Sequence, residues 1–196
     1  VKVPEYPKIA LDDVWRTTAD LVKPFESFSP RGTGMVKPWM LESHEVVKRI
    51  TIDEKTAFWR AVMDHAHDRG IEVYWFTWNV FTNGTSGQYG ITDDLDNATT
   101  RDYFRKSVRE TVLTYPRLAG IGITSGENME HKDGSKGKEE WLWATYGEGI
   151  SDALKIQPER KFRLIHRLHE TGLTPILKQW KGYPGPFEFS YKYAVA

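Results

Sequence analysis

Cysteine is absent from all 196 residues, which excludes disulfides, thiolate nucleophiles and cysteine metal sites and leaves the redox compartment undecided. A surplus of charge of either sign is absent too. The 27 acidic residues balance 27 basic ones, so no global field recommends the chain to nucleic acid or to an anionic membrane. No apolar run is long enough to span a bilayer. Asp93, Asp94 and Asp96 lack calcium-loop spacing and a terminal Glu at the twelfth position. A signal-peptide pattern is missing, Val1 is no initiator, and 187–196 stops inside an apolar run. The expectation is a piece of a longer polypeptide, with any targeting segment outside it.

What is present is aromatic. Eight Trp, nine Tyr and nine Phe at zero net charge fit a large core, and they also fit sites that stack on flat apolar faces such as sugar rings. The length is that of one domain. Its first fifty residues read as irregular, with Pro4, Pro7, Pro24, Pro30 and Pro38 among Gly32 and Gly34. A short helix at Leu11 to Asp20 is opposed by the β-branched Thr17-Thr18 pair. A segment of this kind is either a surface excursion or a functional loop.

Regular alternation begins at Thr51. Thr51-Ile52-Asp53-Glu54 is a capping box, and the stripe Phe58, Ala61, Val62, Ala66 predicts a helix that Gly70 ends. Ile71 to Trp78 follows, β-branched and aromatic, as a strand buried on both faces reads. A polar loop over 79–98 leads to a second capping box at Thr99-Thr100-Arg101-Asp102. The stripe Phe104, Val108, Thr111, Val112, Tyr115 then marks a helix stopped by Pro116. Leu118 to Thr124 is the second strand, and another polar loop runs from Ser125 to Lys138. Further helical segments carry Trp141 and Trp143, are interrupted by Gly147 and Gly149, and resume at Ser151 to Lys155. Pro158 opens a last helix, with Phe162, Ile165 and Leu168 inward and Gly172 at its end. Thr174 to Gln179 reads as the third strand and Phe187 to Val195 as a fourth.

Helices and strands in alternation call for a parallel sheet with right-handed crossovers. Helix-to-strand connections read as tight, whereas the strand-to-helix loops at 79–98 and 125–138 are long. That asymmetry fits a (β/α)8 TIM barrel, stabilised on one rim and decorated on the other. A doubly wound sheet would alternate similarly, but no glycine-rich phosphate fingerprint follows any strand. The expected fold is therefore α/β, a barrel fragment over 1–196 with successive α/β units from residue 51.

Chemistry is expected at the carboxyl ends of the strands. There Gly120-Ile121-Gly122-Ile123-Thr124-Ser125-Gly126 delivers Glu127 and Asn128 side by side. A glutamate beside aromatic side chains would have the raised pKa that a general acid requires, and glycoside hydrolysis commonly pairs such an acid with a second carboxyl group. The structural alternative for Glu127 is a loop carboxylate or a partner of a helix N-terminus. Trp78 or Trp75 can stack on a sugar and Asn79 can hydrogen-bond one, with packing between strand and helix as the plainer role for Trp75. Lys178 and Trp180 close the third strand as read, and Lys192 repeats the theme in the fourth. A lysine in an apolar strand must meet an anion or reach the open end. His65 and His67 stand two apart on a helix and cannot face one ligand, and His166 and His169 could share a face but have no Asp or Glu to complete a metal site, so both pairs read as surface or capping residues. Asn83-Gly84-Thr85 and Asn97-Ala98-Thr99 match glycosylation acceptors, a pattern common by chance. No metal and no cofactor is expected.

The wording of His67-Asp68-Arg69-Gly70-Ile71-Glu72-Val73-Tyr74, an acidic loop, and Tyr115-Pro116-Arg117-Leu118-Ala119-Gly120 before a strand ending in a glutamate resembles the barrel domain of the α-glucuronidase glycoside hydrolases. Those enzymes remove glucuronic acid or its methyl ether from xylan side chains. The resemblance covers roughly Ile52 to Asn128. It implies a glycosidase of polysaccharide degradation with Glu127 as acid and a base from later in the barrel. It also implies a carbohydrate substrate and goes with a periplasmic or secreted location. Gly126, standing between Ser125 and Glu127, departs from the family, whose glutamate follows a serine directly. The other reading of the same shape is a barrel that binds a saccharide without hydrolysing it, or a sugar isomerase or lyase.

Overall fold

A computed structural model of the chain describes residues 2–6, 50–77, 88–92, 94–125, 133–169 and 171–191. The expected helix at Leu11 to Asp20 lies outside them. Among the described residues, five α-helices and four strands follow one another: α1 (Ile52–His67), β1 (Val73–Phe76), α2 (Ala98–Thr114), β2 (Leu118–Thr124), α3 (Gly134–Leu142), α4 (Glu148–Ile156), β3 (Arg163–Leu168), α5 (Leu173–Gln179) and β4 (Phe187–Tyr191). The strands form one parallel sheet in the order β1-β2-β3-β4, each paired with its neighbour in sequence. None of the described helices is long and apolar enough to cross a membrane.

Local chemistry accounts for most of these elements. At the start of α1 the Thr51 hydroxyl accepts from the Glu54 N–H at 3.2 Å while the Glu54 carboxylate accepts from the Thr51 N–H at 2.6 Å, the capping box read in the sequence. Gly70 closes the turn after α1 at φ +69°, where a side chain would be strained. The buried face of α1 differs from the expected stripe. Met63 is its buried residue, and Trp59 packs edge-on against Trp75, whereas Phe58 is exposed. α2 starts two residues before the expected box, because the Asn97 side chain caps it by accepting from the Thr100 N–H at 2.8 Å. Asp102 instead accepts from the Tyr6 hydroxyl and from Lys106. With Val3 buried and Glu5 paired to Arg109, residues 2–6 are docked against α2 rather than loose.

Gly147 and Gly149 do not interrupt the helical run. A π-helical turn over Trp143–Gly147 joins α3 to α4 without a break. Gly149 is there for contact: a Cβ would sit 2.5 Å from the Arg105 carbonyl oxygen of α2. The expected helix after Pro158 and strand at Thr174–Gln179 are exchanged. Residues 163–168 form β3, because Leu164 and His166 are buried while Arg163, Ile165 and Arg167 are only half-buried, an alternation of period two. Residues 173–179 form α5, with Pro175 accommodated in its first turn.

The register sorts the two sheet faces. Ile121 pairs with Leu164 and Ile123 with His166, and these face a core built from Tyr103, Val108, Trp141 and Ile150 of the helices. The opposite face presents Phe76, Gly122, Ile165 and Glu188 in one row and Thr124, Arg167 and Ser190 in the next. Right-handed crossovers that always step the same way along a sheet set every connecting helix on one side. On the other side Phe76 is 63% exposed and Glu188 is exposed as well.

β2 runs tight against its neighbours. A Cβ on Gly120 would lie 2.1 Å from the carbonyl oxygen of Arg163, so only glycine allows the two strands to pair there. Arg160 locks the end of α2 to the start of β2, donating to the carbonyl oxygens of Tyr115 and Leu118, each at 2.8 Å, and to that of Val112. Truncating Arg160→Met should therefore cost about 2 kcal/mol of unfolding free energy, from carbonyls stripped of a charged donor. Urea denaturation checks this: the midpoint should fall with little change in slope.

Candidate functional site

At the carboxyl ends of β1, β2 and β3 the described residues form a braced rim. Ser125, the residue after β2, is fully buried and its hydroxyl donates to the His169 carbonyl oxygen at 3.3 Å. The bond fixes where the chain leaves the sheet two positions before Glu127. Beside β1, the hydroxyl of Tyr146 from the π turn points at the Thr77 hydroxyl, 3.5 Å away. Burial pushes the Tyr146 phenol up to about 12, opposed by the bond to Thr77. The group is thus a neutral donor through the physiological range. π turns inside helices frequently mark functional sites, and this one delivers its tyrosine to the rim.

Beneath the rim, on the helix side, lies a buried carboxylate. Glu139 of α3 is 1% exposed and gathers three donors from three places. His166 Nε2 of β3 stands 2.9 Å from its Oε2, Trp180 Nε1 donates to the same oxygen at 2.9 Å, and the Thr171 hydroxyl donates to Oε1 at 2.8 Å. The other ring nitrogen of His166 is 3.2 Å from the Arg167 carbonyl oxygen, so both ring nitrogens have hydrogen-bonding partners. Trp180 also packs edge-on to His166 and to Trp143. Nearby, burial raises the Tyr183 phenol, whose hydroxyl donates to the Phe162 carbonyl oxygen at 2.8 Å. Chemically the cluster is a brace: its atoms are closed to solvent and satisfied by one another.

The residues singled out in the sequence fall into two groups. Trp78, Asn79, Glu127, Asn128 and Lys192 lie outside the described residues. Lys178 is exposed on α5 and does not end a strand, so the reason for placing it at the strand ends falls away. Trp180 is buried just after α5, bound to Glu139 on the helix side. His166 is a core residue with a carboxylate partner, contrary to its reading as a surface or capping histidine. Trp75 takes the packing role, edge-on to Trp59 and Tyr115. Asn97 serves as a helix cap.

No protein-family model matches the chain, and no curated protein does. Solved structures do. The chain is similar to a GH138 enzyme targeting pectin rhamnogalacturonan II, with 25% identity and a TM-score of 0.62 over 75% of this chain. A relationship to glycoside hydrolases is supported. The likeness spans only 22% of that enzyme's length.

Glu139 and Phe76 were missed in the sequence for different reasons. Glu139 sits in the polar-looking run Gly134 to Glu140, and its one local signal is Leu142 three residues on, on the same helical face. Phe76 was overshadowed by Trp75 and Trp78. Replacing Glu139 with Ala should cost about 3 kcal/mol or more, since His166, Trp180 and Thr171 all lose a buried acceptor, and Glu139→Gln should cost less because its carbonyl oxygen still accepts. Thermal unfolding of the two variants ranks them; equal losses would show that the cluster contributes only shape.

Proposed function

We propose that the chain is part of a (β/α)8-barrel glycoside hydrolase acting on a polysaccharide or oligosaccharide that is acidic or substituted with side chains, with Glu127 as general acid. One observation supports the reading most: the four described strands step along the sheet in a single direction, and Ser125, the residue after β2, is held to the His169 carbonyl oxygen at the carboxyl end of the sheet. Active sites of barrels gather at that end. A doubly wound sheet reverses its strand order at a switch point, and the four described strands do not. The open face supports closure into a barrel, because parallel sheets are normally covered on both sides and this face mixes Arg163, Arg167, Glu188 and Ser190 with glycine.

The likeness to an enzyme targeting pectin rhamnogalacturonan II makes a pectic polysaccharide the first substrate to try. The α-glucuronidase-like wording points the same way, toward acidic side chains. In this mechanism the Glu127 carboxyl group protonates the glycosidic oxygen as it leaves. A second carboxylate attacks the sugar directly when the two groups are about 5–5.5 Å apart, or activates water when they are about 6.5–9.5 Å apart. Trp78, Asn79 and Asn128 would hold the sugar beside Glu127, and Lys192 would face its acidic group. Lys178 and Trp180 drop out, being placed on α5 and against Glu139.

In the full-length protein, Glu127→Gln should lower turnover of pectic oligosaccharides by roughly 10²–10⁴, the span general acid catalysis supplies, while leaving their binding intact. Turnover equal to the parent's would end the acid assignment.

A further inference from the structure

We infer that Arg167 is the residue that takes the carboxylate of an acidic sugar at the carboxyl end of the sheet, a step that rests on the glycoside hydrolase reading. β3 places two arginines on the open face, Arg163 and Arg167, about 13 Å apart along the strand. The first is matched by protein groups. Arg163 Nε lies 3.0 Å from Glu188 Oε1, and its Nη1 lies 3.5 Å from Glu72 Oε2 and donates to the Tyr74 hydroxyl. Glu72 and Tyr74 belong to the amino end of the sheet, so this pairing braces the end away from the rim. Arg167 stands at the other end. Its register partners are Thr124 on β2 and Ser190 on β4, which makes this row a guanidinium between two hydroxyl residues. Ser125, next after Thr124, is the buried residue from which the chain leads to Glu127.

The inward face of a barrel is closed to ligands along most of its depth, but its last row at the carboxyl ends of the strands opens on the mouth. Arg167 is in that row and only half-buried. A guanidinium offers a planar fork of N–H donors that a carboxylate accepts two at a time, and hydroxyls beside it can donate to the same oxygens. A neutral sugar has no use for that charge, whereas a uronic acid does. The backbone under the side chain is fixed as well. Strand pairing holds it on both sides, and His166 Nδ1 lies 3.2 Å from the Arg167 carbonyl oxygen while Nε2 of the same ring lies 2.9 Å from Glu139. A base held in this way lowers the ordering lost on binding. Of the lysines expected to meet an acidic group at a strand end, Lys178 lies on α5, and Arg167 takes the role it leaves.

The test is isothermal titration of acidic pectic oligosaccharides, and of the same oligosaccharides as methyl esters, into the full-length protein carrying Glu127→Gln. Arg167→Met should weaken binding of the acid about 10- to 100-fold, the worth of a hydrogen-bonded charge pair, and should leave binding of the ester within about twofold. Arg167→Lys, which keeps the charge but loses the fork, should recover part of the loss on the acid. An equal loss on acid and ester, or no loss on either, would overturn the assignment and make Arg167 a partner of the protein's own carboxylates. Failure of both ligands to bind the parent would overturn it too. The two readings separate cleanly. Should Glu127→Gln keep full turnover, the acid assignment of Glu127 falls, yet a loss confined to the acid ligand in Arg167→Met still upholds the carboxylate site.

Discussion

A carboxylate closed off from water must have its oxygens filled by donors, and at Glu139 the donors come from three separate parts of the chain. His166 belongs to β3, Thr171 to the turn after it, and Trp180 to the end of α5. Satisfying one side chain therefore fixes the position of α3 against the sheet. A buried pair of this kind is weak evidence for net stability, because desolvation offsets much of the attraction. Its effect is better seen as geometric. α3 is the first described element after β2; Ser125 at the end of β2 and Glu139 within α3 are each held by polar contacts.

How much of this was legible in the sequence depended on where each signal resides. β2 coincided with its expected bounds because Leu118 to Thr124 has no helical alternative: β-branched and glycine residues, with a proline before them. The capping box at Thr51 and the turn at Gly70 were equally local, and both formed. β3 and α5 were exchanged because two periods compete in one segment. Phe162, Ile165 and Leu168 repeat like a helix, whereas Phe162, Leu164 and His166 repeat like a strand, and a histidine in the second series disguises it. Only Glu139, distant in sequence, makes His166 a core residue. The expected site was drawn from the order of elements rather than from contacts. Its rim residues Ser125, Thr77 and Tyr146 could not be read because each hydrogen bond joins separate elements.

The two faces of the sheet divide the labour. Toward the helices, Ile121, Ile123 and Leu164 bury apolar surface and supply the cohesion of the domain. Away from them, Phe76 and Glu188 are exposed, while Gly120 and Gly122 are buried beneath their neighbours. Gly120 and Gly122 contribute to both tasks, one by letting β3 approach and the other by making room for Phe76.

The strand order has a further consequence, for how the protein is made. Among the described strands, each pairs with the one before it in sequence. Each pairing spans a helical crossover, and the sheet can be extended one unit at a time in the order in which the ribosome delivers the chain. The exception is the Glu139 cluster, which cannot be completed until Trp180 has emerged. α3 would then settle last among the helices it neighbours, and the rim would take its final form only after β3 and α5 are in place.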